Sequence, residues 1–150
     1  MLEAVTLTAM LTWGTETLDT PQFGEIEADI NQQTIMFDYE NYIVGFQQLS
    51  INPEVANKMT EENLLIGYRW NPSLAALFGD KTWGVVFAYP ILNDVYFNAS
   101  YFDREKVDRA TVGVGYQFTD NISMQVNYGL SDYATGVDGN FTAATLVIKY

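Results

Sequence analysis

Between residues 121 and 131 the side chains sort by parity. Even positions read Ile122, Met124, Val126, Tyr128 and Leu130, while odd ones read Ser123, Gln125, Asn127, Gly129 and Ser131. The preceding segment repeats the pattern, with Ala110, Val112, Val114, Tyr116 and Phe118 alternating with Thr111, Gly113, Gly115 and Gln117. The last residues do the same, with Thr142, Ala144, Leu146, Ile148 and Tyr150 on one parity. A strand sends successive side chains to opposite faces, so each segment has one apolar face and one small, polar face.

Such alternation also occurs in any half-buried antiparallel sheet, so the polar face must discriminate. A sheet exposed to water usually carries Lys, Glu and Arg there. Here Gly, Ser, Thr, Asn and Gln predominate, residues suited to a crowded, hydrogen-bonded interior. The apolar faces place Trp13, Trp70, Trp83, Tyr89, Tyr101, Phe118 and Tyr150 near strand ends. Aromatics with an apolar body and a polar tip suit a lipid–water boundary. No run approaches the roughly 20 apolar residues of a transmembrane helix, and a barrel needs none, because its strands average out in hydropathy. The alternation predicts an all-β, antiparallel, up-and-down transmembrane β-barrel. Eight or ten strands fit, with ten preferred, in a single domain over residues 1–150.

The first strand is expected over about 3–13, followed by a polar loop at 14–23. Across 24–51 the apolar residues change parity, from Ile26, Ala28 and Ile30 to Ile35, Phe37 and Tyr39. That change predicts a turn or bulge near Asn31-Gln32-Gln33. Asn71-Pro72-Ser73 resembles a helix start, and Leu74–Phe78 is expected as one helical turn on a loop ending at Gly79-Asp80. With the C-terminus in the periplasm and long loops outside, 90–94 and 119–121 fall inside. Segments 71–81, 103–108 and 131–140 then fall outside. The loop at 52–63 lands on the periplasmic side, where it is unusually long.

Strand–turn–strand units such as Val112–Tyr128 and the terminal Leu146-Val-Ile-Lys-Tyr150 resemble bacterial outer-membrane β-barrel proteins, of the small OmpA/OmpX-like or porin-like kind. The resemblance is convincing over about 63–150 and loose before that. It implies location in the outer membrane among lipid and lipopolysaccharide, and export with a leader that is then removed. It also implies that Tyr150 acts as the signal read by the barrel-assembly machinery. Met1-Leu2-Glu3 itself lacks the features of a secretory signal.

The chain has no histidine and no cysteine. Ser–His, Asp–His and thiol chemistry and thiolate metal sites are therefore impossible. A net charge of −12 argues against nucleic acid, whose phosphates need a basic surface. Arg104, Lys106 and Arg109, interrupted by Glu105 and Asp108, read as a solvated hairpin tip. Glu25, Glu27 and Asp29 alternate along one strand face, with Asp38 nearby. They suggest a cation-attracting pore lining or an oxygen-ligand metal site. The preferred reading is a barrel-interior charge cluster in which they pair with inward Arg69 and Lys149, or else simple exposure to water. Asp132, Asp138 and Asn140 suit calcium, a partner, or turn chemistry. No catalytic, cofactor or metal residue is assigned. The chain reads as a non-enzymatic barrel, either a narrow channel or a surface structural or adhesive protein. Two alternatives are a soluble lipocalin-like barrel binding a hydrophobic small molecule, with its apolar faces inward, and a segment of a larger porin assembly.

Overall fold

The computed structural model describes residues 5–150, so the first two positions of the expected first strand lie outside the described residues. Ten strands follow one another: β1 Thr6–Thr20, β2 Gly24–Tyr39, β3 Tyr42–Pro53, β4 Met59–Asn71, β5 Leu74–Phe78, β6 Thr82–Pro90, β7 Val95–Arg104, β8 Val107–Thr119, β9 Ile122–Tyr133 and β10 Asp138–Lys149. Each pairs antiparallel with its sequence neighbour, and β1 pairs with β10 from Thr8↔Lys149 to Asp19↔Asp138, closing the barrel. Closure satisfies the backbone of both terminal strands, which is the condition for a sheet to stand in lipid.

Turn chemistry sets the reversals. Glu40 takes the left-handed conformation (φ 52°) in the two-residue Glu40-Asn41 turn, a geometry that two-residue hairpin loops demand. At the β1–β2 reversal, Thr20 Oγ1 accepts the Phe23 N–H and donates to the carbonyl of Gly24, which sits at φ 69°. Asn71 Oδ1 accepts the Ser73 N–H, so the Asn-Pro-Ser signal serves a tight turn.

The structure corrects four expectations. β1 runs on to Thr20, so most of the predicted loop at 14–23 is strand. Leu74–Phe78 is the short strand β5, not a helical turn. This added crossing places the 72–73 turn at the end of the barrel that holds the termini. It moves the loop between β3 and β4 to the opposite, distal end, beside the other long connections. Finally, β2 has no break at Asn31-Gln32-Gln33, because its register with β1 is continuous from Gly24 to Asp38.

What changes at that point is the surroundings of the strand. Ile35, Phe37 and Tyr39 face outward and are exposed, and so do Asn31, Asp29, Glu27 and Glu25 on the same parity. Inward, Asp38, Thr34 and Gln32 give way to Ile30, Ala28 and Ile26. The other long strands change at the same level. Leu11 and Trp13 give way outward to Thr15, Thr17 and Asp19, while inward Thr8 and Thr12 give way to Leu18. Val44 and Phe46 give way to Gln48 and Ser50, Leu64 to Glu62, and Leu146 and Ala144 to Thr142 and Asn140.

The half nearer the termini is thus apolar outside, and the distal half is apolar inside. Its core includes Leu18, Ile30, Leu49, Ile51, Val107 and Phe141. β5 and β6 are short, so the wall is low on that side and tall at β1–β4.

The boundary makes a sharp test on one face of one strand. Phe37→Arg, in the middle of the outward apolar run of β2, should cripple folding into lipid vesicles, with a penalty toward the ~2–4 kcal/mol of an arginine at the bilayer midplane. Asp29→Arg, further along the same strand with the same orientation, should fold normally. Equal losses in the folded fraction would refute a mid-strand boundary.

Candidate functional site

At the lower edge of the distal core the barrel holds a layer of buried charge. Arg109 on β8 donates from Nη2 to Glu16 Oε2 on β1 (3.1 Å) and from Nε to its cross-strand partner Ser131 on β9 (3.1 Å). Tyr133 donates its hydroxyl to the same Glu16 oxygen at 2.6 Å. The Glu16 side chain is wholly inaccessible to solvent, and the guanidinium lies over the Phe141 ring at 4.1 Å. A buried pair is stable only with such extra hydrogen bonds, and breaking one strands the surviving charge.

Arg104 on β7 forms a second centre. Its Nη2 donates to Gln47 Oε1 on β3 (2.8 Å), and Gln47 Nε2 donates on to Thr34 Oγ1. The Arg104 guanidinium stacks on Phe102 at 4.7 Å, but its Nε and Nη1 are buried without a hydrogen-bond partner. Nor does either carboxylate oxygen of buried Glu61 on β4 have one.

Beneath this layer lies a cavity of about 250 Å³. Apolar side chains from β1–β3, β5 and β6, among them Met10, Met36, Ile43, Leu77 and Val86, form one flank. Thr12, Thr111, Gln125, Asn127 and Thr145 form the other. Interior glycines leave less empty space than their number suggests. Tyr96, Phe102 and Phe141 each lie over a directly cross-strand glycine, Gly115, Gly84 and Gly129 respectively.

The expected interior charge cluster is corrected. Glu25, Glu27 and Asp29 face outward, because they share the parity of Ile35 and Phe37 on an unbroken strand. Lys149 keeps inward parity but sits exposed at the rim of the end holding the termini, far along β10 from that trio. Asp38 and Arg69 do meet, at 2.7 Å, near the same end. Arg104 and Arg109 are interior groups, not parts of a solvated tip. Only Glu105 and Lys106 form that turn, with exposed Glu105 bonding Lys81 at 2.9 Å and holding its ammonium above the ordinary range. Parity was the available signal: Arg109 is in phase with Thr111 and Gly113, and Arg104 with Phe102 and Ser100.

Tyr150 is exposed, and its backbone exchanges both hydrogen bonds with Leu7. Among the described residues, no group of three or more acidic side chains is placed to hold a metal ion. The outward acids instead form a row. Glu25, Asp19, Asp138, Asp132 and Asp108 are successive cross-strand partners over β2, β1, β10, β9 and β8.

No family model matches the chain, and no curated protein matches it in sequence. Solved structures do match it. Neisserial surface protein A is 8% identical, with 97% of each chain covered and a TM-score of 0.57. The KdgM porin in complex with disordered oligogalacturonate is 10% identical, covering 91% of this chain and 97% of that one, with a TM-score of 0.47. The translocator domain of the autotransporter NalP from Neisseria meningitidis is 9% identical, covering 97% and 88%, with a TM-score of 0.45. At 8% identity the likeness to Neisserial surface protein A is one of fold, that of an outer-membrane β-barrel.

Like charges directly opposite on neighbouring strands destabilise a sheet. Asp138→Asn, in the middle of the row, should therefore stabilise the barrel by about 0.2–1 kcal/mol. Urea unfolding from detergent micelles measures this, and the gain should shrink in high salt. A loss of stability would show that the carboxylates are individually compensated.

Proposed function

We propose that the protein is a non-enzymatic outer-membrane barrel whose distal half stands above the lipid as a solid surface module with a structural or adhesive role, rather than an open channel. The observation that carries this reading is the mid-strand inversion. Above the apolar band the barrel is packed like a soluble protein. Leu18, Ile30, Leu49 and Ile51 fill the lumen there with fully buried aliphatic side chains, backed by the Arg109–Glu16–Tyr133 network. A narrow barrel filled by side chains conducts little. The outer face of the tall wall carries Glu25, Glu27, Asp29 and Asp19, an electronegative surface facing away from the bilayer. With neither histidine nor cysteine, the interior offers none of the usual base or nucleophile pairs.

On this reading the termini lie in the periplasm and the β1–β2 and β3–β4 reversals lie outside, with outer-leaflet lipid and lipopolysaccharide around the band. The chain has no native cysteine, so single-cysteine labelling on intact cells tests the orientation. A membrane-impermeant maleimide should label Glu27→Cys and leave Lys149→Cys unlabelled until the cells are opened. The reverse pattern would invert the proposal. In planar bilayers the purified barrel should stay closed, and stable unitary currents would restore the channel reading.

Tyr150 serves assembly on the same reading, presenting a terminal aromatic to the barrel-assembly machinery while its backbone closes on Leu7. Deleting it should lower the folded outer-membrane population in cells. Unchanged levels would make the terminal aromatic incidental.

A further inference from the structure

We propose that the lumenal cavity is a binding site for a small carboxylate with an apolar body, entered from the end of the barrel that holds the termini. Its far side is sealed by the distal core, and its near side reaches the Pro72-Ser73 turn and Ala88. Arg69 lines the near part and is partly exposed.

In a protein of net charge −12, the charged side chains lining this cavity are three arginines, Arg69, Arg104 and Arg109, with no carboxylate among them. Two of the three are satisfied from behind, Arg69 by Asp38 and Arg109 by Glu16. Arg104 is not. It is 5% exposed, one nitrogen is held by Gln47, and Nε and Nη1 have no partner. Buried donors left unmatched are costly, and a carboxylate can take either orphaned nitrogen together with the second N–H of Nη2 in two parallel hydrogen bonds, leaving the first to Gln47.

The competing acceptor is Glu61, whose carboxylate is buried nearby without a hydrogen bond but does not line the cavity. The apolar flank of Met10, Met36, Ile43, Leu77 and Val86 excludes a compact inorganic anion as the best fit, because it would be left dry. It accommodates an aromatic ring or short branched chain behind the carboxylate head.

The test uses the whole chain folded in a non-ionic detergent, with folding confirmed on an unboiled gel. Titration calorimetry with sodium benzoate should give saturable one-to-one binding above the detergent blank, with uncharged benzamide at least tenfold weaker. Arg104→Gln should weaken benzoate at least tenfold, while Glu61→Gln should leave it unchanged or tighter. Absence of saturable benzoate binding, or equal affinity for benzamide, would overturn the site. So would saturable binding that appears only in Glu61→Gln, since Arg104 would then be serving Glu61 in the wild-type protein.

If Arg104→Gln does not fold, the wild-type protein still decides. Its Arg104 side-chain Nε–H resonance, assigned with Arg104→Lys, should move on adding benzoate and stay fixed with benzamide. A resonance that ignores benzoate refutes the proposal. None of these readouts depends on orientation in the membrane or on conductance, so the surface-module reading stands or falls separately.

Discussion

Every backbone donor and acceptor that meets hydrocarbon must be bonded within the protein, and the pairing of β1 with β10 is where this chain meets that condition. Without it the sheet would present two open edges, each a row of bare amides. The closure runs almost the full length of both strands and ends on the exchange between Leu7 and Tyr150. Once the ring is closed, parity becomes binding. A strand can no longer slip by one residue without turning its whole set of side chains inside out. The lumen and the lipid face are therefore fixed by the same hydrogen bonds.

Within that ring two packing regimes share each long strand. Near the termini, much of the burial of apolar surface is supplied by the bilayer, and the interior is free to hold Thr, Gln and Asn on one flank of a cavity, facing the buried Ile43 and Leu77 on the other. In the distal half water lies outside, so the apolar residues turn inward and pack on one another. The buried charges sit at the seam. Arg109 and Glu16 find there both the low-dielectric surroundings that strengthen their hydrogen bonds and polar neighbours, Ser131 for the guanidinium and Tyr133 for Glu16 Oε2, while Glu16 Oε1 is left without a partner.

Much of this was legible in the sequence. Residues 110–130 read correctly because their apolar parity stays constant through most of β8 and β9, and the Thr119-Asp120-Asn121 turn stands out between them. Residues 24–51 misled for a physical reason. A change in which parity is apolar looks like a break in the strand, yet it also arises when an unbroken strand passes from lipid into water. That ambiguity leaves Glu25, Glu27 and Asp29 readable either as interior charges or as exposed ones, and the structure shows the second. The Asn71-Pro72-Ser73 signal was genuine turn chemistry assigned to the wrong element, since five residues are too few to distinguish a strand from a helical turn by period. Arg104 and Arg109 were masked by neighbouring charges of opposite orientation. The partnership of Gln47 with Arg104, 57 positions apart, leaves no local trace at all.

The low wall at β5 and β6 makes the distal rim lopsided. On the side of β8 to β2 the acidic row begins at Asp108 and Asp132, directly after the outward apolar Ala110 and Leu130, and climbs to Glu25, well beyond Ile35 on β2. On the opposite side the strands stop with Trp83 and Phe78 as their last outward residues, and the exposed Lys81–Glu105 pair stands just beyond them. A flat surface brought down on that rim would meet carboxylates on the tall side while standing clear of the short one, so any contact made by the distal end is one-sided.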